Sequence, residues 1–203
     1  MTESTEGAAA VSAEDEQRAD LYLLIARLMY DPPEAELLER IRALEGDGSA
    51  LGQAISALAQ AARESDAGAI DDEYQGLFVR IDHAEFKPYA SFAQTGRYYA
   101  QPLVRLREDM ARLKIQRGGE VREPEDHITP LCEMMAGLIL GLFDDTPAPL
   151  TKQQAFFARH LDAWAADFFQ RLAQCESTPF YAAVAEVAAR FLEVERRAFE
   201  IAA

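Results

Sequence analysis

Residues 157–172 of this chain read FARHLDAWAADFFQRL and carry its clearest helical pattern. Five large apolar residues follow one another here at spacings of 4, 3, 4 and 4: Phe157, Leu161, Trp164, Phe168 and Leu172. This spacing places all five on one helical face, because an α-helix has about 3.6 residues per turn. We therefore predict a helix that turns this face into the protein core.

Helical patterns of the same kind recur along most of the chain. Proline and glycine clusters separate them, because proline cannot donate to the helical hydrogen-bond ladder. The predicted helices cover residues 14–30, 34–44, 50–63, 69–78 and 95–114, a stretch ending at Phe143, one capped by Thr151 and Gln154, and a last one capped by Thr178-Pro179. We predict an all-α, single-domain helical bundle of about eight or more helices over residues 14–203, behind a disordered tail of residues 1–13.

Two helix boundaries stay open in the sequence. Pro102 either kinks the helix in which it lies or restarts it. The following helix begins either with Pro124 as its first residue or with Thr129 as its cap and Pro130 as its first residue. For the following helix, both alternatives place a proline in the first turn, where its missing N–H does little harm.

Two irregular segments contain the most distinctive residues. Residues 80–94 have no clean period and include Pro88, so we expect an ordered loop. Residues 115–123 lead into the acidic run Glu123-Pro124-Glu125-Asp126. Irregular segments carry function more often than core helices do. Acidic residues at a helix start also interact favourably with the helix dipole, so a purely structural role for this run stays open.

The charge balance narrows the choice of partner. The chain has 20 Lys and Arg against 35 Asp and Glu, a formal net charge of −15. That charge repels a nucleic-acid backbone and an anionic membrane surface, whereas it attracts a cationic peptide. Because the N-terminus lacks signal-peptide character and no stretch is long and apolar enough for a membrane span, we expect a cytoplasmic protein without stable membrane insertion.

The sequence offers little for catalysis or for metal binding. Its three histidines are His83, His127 and His160. Glu123, Asp126 and Cys132 lie near His127 in the sequence, but together they match no known metal-ligand motif. We find no nucleophile motif and no glycine-rich phosphate loop. Cys132 and Cys175 lie in apolar helical stretches and are expected to be buried thiols. We predict no enzyme activity, no metal and no cofactor.

Four segments, taken in order, resemble the TorD/DmsD/NarJ group of redox-enzyme maturation chaperones. The likeness covers about residues 15–200. Its carriers are Glu73-Tyr74-Gln75-Gly76-Leu77-Phe78, Lys87-Pro88-Tyr89-Ala90-Ser91, Glu123-Pro124-Glu125-Asp126-His127-Ile128 and FARHLDAWAADF over 157–168. The third is similar to the family signature E-P-x-D-H and is the most specific. One departure is that no glycine follows Phe78, so the loop before Pro88 differs from the family pattern.

The resemblance implies an all-helical chaperone that binds the catalytic subunit of a molybdopterin oxidoreductase until its cofactor is inserted. It also implies recognition of a twin-arginine signal peptide, which pairs two guanidinium groups with an apolar stretch. Such a ligand needs carboxylate oxygens beside an aromatic or aliphatic groove. We expect the acidic residues 71–73 and 123–126 to supply the carboxylates and the aromatic residues near them to supply the groove.

The predicted client-binding residues are Tyr74, Leu77, Phe78, Pro88, Tyr89, Ser91, Glu123, Asp126 and His127. Because Glu123, Asp126 and His127 follow a loop, we expect their side chains to be at least partly accessible. The sequence around Lys87-Pro88-Tyr89 and Asp126-His127-Ile128 is most similar to family members linked to formate dehydrogenases, which suggests a formate dehydrogenase-like client. The alternatives are a helical adaptor that binds a folded partner and, with less support, a nucleotide-binding protein.

Overall fold

The computed structural model describes residues 11–79, 86–116, 118 and 123–202. Within these ranges the chain forms ten α-helices and no strand, which confirms the predicted all-α fold. The α-helices are α1 (Ala13–Tyr30), α2 (Ala35–Arg42), α3 (Ala50–Glu64), α4 (Ala67–Tyr74), α5 (Ala90–Thr95), α6 (Gln101–Arg112), α7 (Ile128–Leu140), α8 (Leu150–Phe157), α9 (Ala165–Leu172) and α10 (Pro179–Ile201). Two π-helical turns, Gln75–Val79 and Ala158–Asp162, continue α4 and α8.

The first helix begins inside the predicted tail. The Ser12 side chain accepts a hydrogen bond from the Asp15 backbone N–H at 3.0 Å and caps α1. Residues 1–10 lie outside the described residues, and with them most of the predicted tail. The helix ends at Tyr30, directly before the predicted stop at Asp31-Pro32-Pro33.

Three helix pairings build the core. α1 packs along α7, while α10 packs along α3 and α9. The rings of Tyr22 on α1 and Phe191 on α10 meet edge to face with their centroids 4.7 Å apart. Beside them the buried Glu195 carboxylate accepts hydrogen bonds from the Arg18 guanidinium and from the Tyr22 hydroxyl, the latter at 3.0 Å. These contacts join the two ends of the chain.

The predicted helix over residues 95–114 is wrong at its start. α5 lies within the segment that was expected to be a loop, and it ends at Thr95 with Gly96 in the left-handed region at φ 70°. α6 then begins at Gln101 with Pro102 in its first turn, so this proline restarts a helix. Its missing N–H costs nothing there, because the first amides of a helix have no partner within the helix.

The predicted late helix is divided, although its apolar face is buried as expected. Trp164 leaves helical geometry at φ −155°, and its indole N–H donates to the His160 carbonyl at 2.8 Å. The predicted capping box is wrong, because α8 begins at Leu150 and the Gln154 amide donates to the Phe199 carbonyl at 3.2 Å. His160 lies in the core as expected, with its Nε2 2.8 Å from Asp109.

The two cysteines of the chain differ in burial. Cys132 is buried as expected, but Cys175 is only half-buried. No helix of the described residues has both the length and the apolar character that crossing a bilayer requires. Likewise, the described His, Cys, Asp and Glu residues form no group that could hold a metal ion.

Candidate functional site

The two irregular segments of the sequence lie side by side in the fold. Tyr89 and His127 form an isolated antiparallel bridge. The Ala90 N–H donates to the Asp126 carbonyl at 2.9 Å, and the Ile128 N–H donates to the Pro88 carbonyl at 2.8 Å. We call residues 86–91 and 123–128 the paired loops. Their main-chain hydrogen bonds bring together two motifs that lie far apart in the sequence.

Asp126 and Ser91, two of the predicted site residues, stabilise the paired loops through buried hydrogen bonds. The Asp126 carboxylate accepts a hydrogen bond from the Ser91 N–H at 2.8 Å, and the Ser91 hydroxyl accepts one from the Ala100 N–H at 3.2 Å. Asp126 is 1% exposed and Ser91 is fully buried. The expectation that Asp126 is accessible is therefore wrong. Its side chain replaces the main-chain partner that the Ser91 amide lacks at the start of α5.

His127 is the cap of α7, so neither predicted start of this helix is right. Its Nδ1 accepts a hydrogen bond from the Thr129 N–H at 3.2 Å, and only 6% of the residue is exposed. Burial lowers the pKa of His127 to about 4, which keeps the imidazole neutral near pH 7. With Nδ1 accepting, the neutral ring carries its proton on Nε2. The expected accessibility of His127 is thus also wrong for most of the side chain.

Tyr89 joins the paired loops to each other through its side chain. Its ring meets the His127 ring edge to face with a centroid distance of 4.9 Å, and its hydroxyl donates to the Glu123 carboxylate. Burial, followed by this carboxylate, raises the pKa of Tyr89 far above its ordinary value, so the phenol stays protonated. Glu123 is half-buried and faces the same side as Tyr89.

The π-helical turn Gln75–Val79 supplies the opposite wall. Such wide turns are rare and often occur at functional sites. The Tyr74 hydroxyl donates to the Tyr30 carbonyl at the end of α1, and the Leu77 carbonyl accepts from the Phe86 N–H at 3.1 Å. Leu77 itself is 2% exposed, so it supports this wall from within the core.

Between this wall and the paired loops lies a pocket of about 300 Å³, which we call the aromatic pocket. Its lining residues are Met29, Tyr30, Tyr74, Phe78, Val79, Phe86, Lys87, Pro88, Tyr89, Tyr98, Glu123 and His127. Six predicted site residues are among them: Tyr74, Phe78, Pro88, Tyr89, Glu123 and His127. Leu77, Ser91 and Asp126 lie outside the lining and support it.

Sequence reasoning missed several of the lining residues. Met29 and Tyr30 come from the end of α1, where no motif marks them, and Tyr98 lies outside the four family-like segments. Tyr30, Val79 and Tyr98 are 59%, 47% and 43% exposed, so they form the mouth of the aromatic pocket. For Met29 and Tyr30, the sequence signal that could have found them is a pair of large apolar residues directly before a predicted helix stop.

The acidic residues are distributed differently from the prediction. The Glu73 carboxylate caps α10, accepting from the Phe180 and Tyr181 N–H groups at 3.3 and 3.0 Å, and it does not line the aromatic pocket. Glu125 is 7% exposed and pairs with Arg107 at 2.8 Å. Among the described lining residues, Glu123 alone carries a carboxylate and Lys87 alone carries an amine.

This arrangement has the chemistry of a receptor for a mixed ligand. The aromatic walls can bury an apolar side chain, and the Glu123 carboxylate can accept hydrogen bonds from a cation placed beside it. The Lys87 amine lies 4.6 Å from the centroid of the Phe92 ring, within the range of a cation–π contact.

The chain is similar in sequence to proteins named as chaperones, and in fold to a putative redox enzyme maturation protein. A chaperone protein TorD from Vibrio atlanticus is 25% identical over 201 residues, which cover 89% of this chain and 94% of the relative. A probable Tat proofreading chaperone DmsD from Haemophilus influenzae is 29% identical over 61% of this chain and 59% of its own length. In fold, the chain is similar to a putative redox enzyme maturation protein from Archaeoglobus fulgidus, with a TM-score of 0.54, 22% identity, and coverage of 87% and 94%.

The fold, the aromatic pocket and these relatives define a redox-enzyme maturation chaperone, a binding protein rather than an enzyme. The family model described as nitrate reductase delta subunit matches residues 44–170, which include both walls of the aromatic pocket. The chain belongs to this family. The predicted resemblance is thereby confirmed.

Proposed function

We propose that the chain binds the twin-arginine signal peptide of a molybdopterin oxidoreductase catalytic subunit in the aromatic pocket. In the cytoplasm it holds this subunit until cofactor insertion and export or assembly. The names of the relatives, chaperone protein TorD and Tat proofreading chaperone DmsD, support this class of client. The observation that carries the proposal is the convergence of six residues from three sequence motifs on a pocket with a single carboxylate among its described lining residues.

The two halves of the ligand match the two parts of the pocket. An apolar side chain that follows the arginine pair enters between the aromatic walls and loses its contact with water, which stabilises the complex. A guanidinium group of the pair lies beside Glu123 and donates to its carboxylate, in addition to the Tyr89 hydroxyl that already does so. The net charge of −15 draws the cationic peptide towards the protein from a distance.

A formate dehydrogenase is the first client to test. The support is the similarity of Lys87-Pro88-Tyr89 and Asp126-His127-Ile128 to family members linked to such enzymes. Pro88, Tyr89 and His127 line the aromatic pocket, so differences at these positions would act directly on the bound peptide. The alternative of an adaptor for a folded partner is less well supported, because the relatives are named as chaperones.

A panel of synthetic signal peptides from molybdopterin oxidoreductases, including formate dehydrogenases, tests the proposal by calorimetric titration. We call the tightest-binding member the probe peptide. Glu123→Gln keeps the size of the side chain and removes its charge, and we expect it to weaken probe binding by about tenfold or more, as for a lost charge-assisted hydrogen bond. The matched control is Glu176→Gln, an equal charge change at an exposed residue outside the aromatic pocket.

The possible outcomes separate the function from the site. If no peptide of the panel binds the parent protein, the proposed function is wrong. If the probe binds but Glu123→Gln and Glu176→Gln bind it equally well, the site is wrong. Replacing both arginines of the probe by glutamine should remove most of the affinity, since the proposed pairing requires guanidinium groups.

A further inference from the structure

Tyr181 has a buried hydroxyl without a hydrogen-bond partner. The residue is 0% exposed, and its Oη is the one buried side-chain polar atom, among the described residues, that no donor or acceptor reaches. Buried polar groups are nearly always paired, because a group that leaves water without a new partner destabilises the fold. A partner that arrives only with a ligand would pair this hydroxyl in the complex.

The position of Tyr181 connects it to the aromatic pocket. Its ring lies 5.7 Å from the Tyr74 ring and 5.6 Å from the Phe78 ring, measured between centroids. Tyr74 and Phe78 line the aromatic pocket and pack on each other at 5.3 Å, so Tyr181 lies directly behind that wall. Hence only the side chains of this wall separate it from a bound peptide.

Phe78 is the more exposed of the two wall residues whose rings contact Tyr181. It is half-buried, whereas Tyr74 is 8% exposed and is fixed by its hydrogen bond to the Tyr30 carbonyl. Phe78 lies in the π-helical turn, where the wider winding gives poorer packing along the helix axis than an α-helix does. Its ring meets Tyr181 edge to face, at an interplanar angle of 77°. A rotation of this one side chain would open a path to the hydroxyl.

The negative charges around the Tyr181 hydroxyl favour a partner that donates an N–H to it. The Glu73 and Asp31 carboxylates lie close enough to act on the phenol electrostatically, and Arg27 opposes them only in part. Negative surroundings favour a group that presents an N–H over one that presents a carbonyl oxygen. The α10 backbone N–H of Tyr181 is already satisfied by Glu73, so the hydroxyl is the group left to pair.

We propose that Tyr181 is an inner receptor group of the aromatic pocket, and that its hydroxyl accepts an N–H of the client peptide once the peptide displaces the Phe78 ring. This inference rests on the proposed function. The N–H comes from the peptide main chain or from a guanidinium group. In either case the hydroxyl contributes to affinity in the complex and not to the stability of the empty protein.

Tyr181→Phe tests this directly, because it removes the one oxygen atom and keeps the ring. We expect a higher melting temperature, since an unpaired buried group is lost, together with probe binding weaker by about three- to tenfold, as for one lost hydrogen bond. The matched control is Tyr22→Phe, which removes a hydroxyl that is equally buried but bonded to Glu195. It should lower the melting temperature and leave probe binding unchanged.

Two further probes identify the source of the N–H. In each, one arginine of the probe peptide is replaced by methionine. If Tyr181→Phe weakens the binding of both substituted peptides, the N–H belongs to the peptide main chain. If Tyr181→Phe no longer weakens the binding of one of them, the N–H belongs to the guanidinium group that this peptide lacks. Unchanged affinity in Tyr181→Phe would overturn the inference, and so would a joint loss of stability and affinity, which marks a structural hydroxyl. Failure of the parent protein to bind any peptide would overturn the proposed function and this inference with it.

Discussion

The Asp126 carboxylate accepts a hydrogen bond of 2.8 Å from the Ser91 backbone N–H, across a sequence separation of 35 residues. This bond lies beneath the main-chain pairing of residues 88–90 with residues 126–128. The most specific part of the family signature therefore acts by holding two loops together. The side chains that face the aromatic pocket, Tyr89 and Glu123, depend on that arrangement.

Asp126→Ala should reduce both stability and client binding. It leaves the buried Ser91 N–H without an acceptor, which costs about 1–3 kcal/mol of the free energy of unfolding. Because the paired loops then separate more easily, probe binding should weaken as well. Urea unfolding and calorimetric titration measure the two effects. Trp164→Ala, which empties a large core position, is the reference for a strongly destabilising change and should cost about 3–5 kcal/mol of the free energy of unfolding.

A contrasting variant shows whether the carboxylate acts through structure. Asp126→Asn keeps an acceptor for the Ser91 N–H and should recover part of the stability that Asp126→Ala loses. If Asp126→Ala unfolds at the same urea concentration as the parent and still weakens binding, Asp126 would have to contact the client itself.

His127 should make the fold less stable in mild acid. Burial lowers its pKa to about 4, while the unfolded chain has the ordinary value of 6.5. Between these two values the unfolded state binds more protons, so this contribution to stability is complete above pH 6.5 and is lost as the pH falls towards 4. From pH 7 to pH 5 the loss amounts to about 2 kcal/mol.

His127→Asn isolates this contribution. Asparagine is a good helix cap and its side-chain oxygen can accept from the Thr129 N–H, but it does not titrate. Urea unfolding at pH 7 and pH 5 should therefore show a smaller loss in the variant than in the parent, by about 2 kcal/mol. His160, which is present in both proteins, cancels in this difference. Equal losses in parent and variant would show that His127 is not the titrating group.

Lys87→Gln should strengthen the binding of a cationic peptide. Lys87 is the one amine among the described lining residues, so its removal relieves repulsion of the arginine pair. For a charge near the surface we expect roughly a two- to fivefold gain in probe affinity, which becomes smaller at high salt. The control is Lys152→Gln, the same charge change at an exposed residue outside the aromatic pocket. An equal gain in the control would assign the effect to net charge alone.

The sequence by itself determined the all-helical class and the apolar faces that form the core, although it missed α5 and the division of the late helix. Apolar spacing is a local property of the chain, and for this reason Leu161, Phe168 and Leu172 are buried as their spacing predicts. Apolar spacing predicted the helix ends less reliably, because the end of a helix depends on its capping partners. His127 caps α7 with its own side chain, and Glu73 caps α10 from another helix.

Only the tertiary structure decided which predicted site residues face the aromatic pocket. Glu123 and Asp126 are three residues apart in one acidic run, yet one lines the aromatic pocket and the other is buried behind it. The run has no helical or strand period that would assign its side chains to faces. Their directions follow from hydrogen bonds to Tyr89 and Ser91, which lie more than thirty residues away in the sequence. Such partners are adjacent only after the helices have packed, so no local pattern could reveal them.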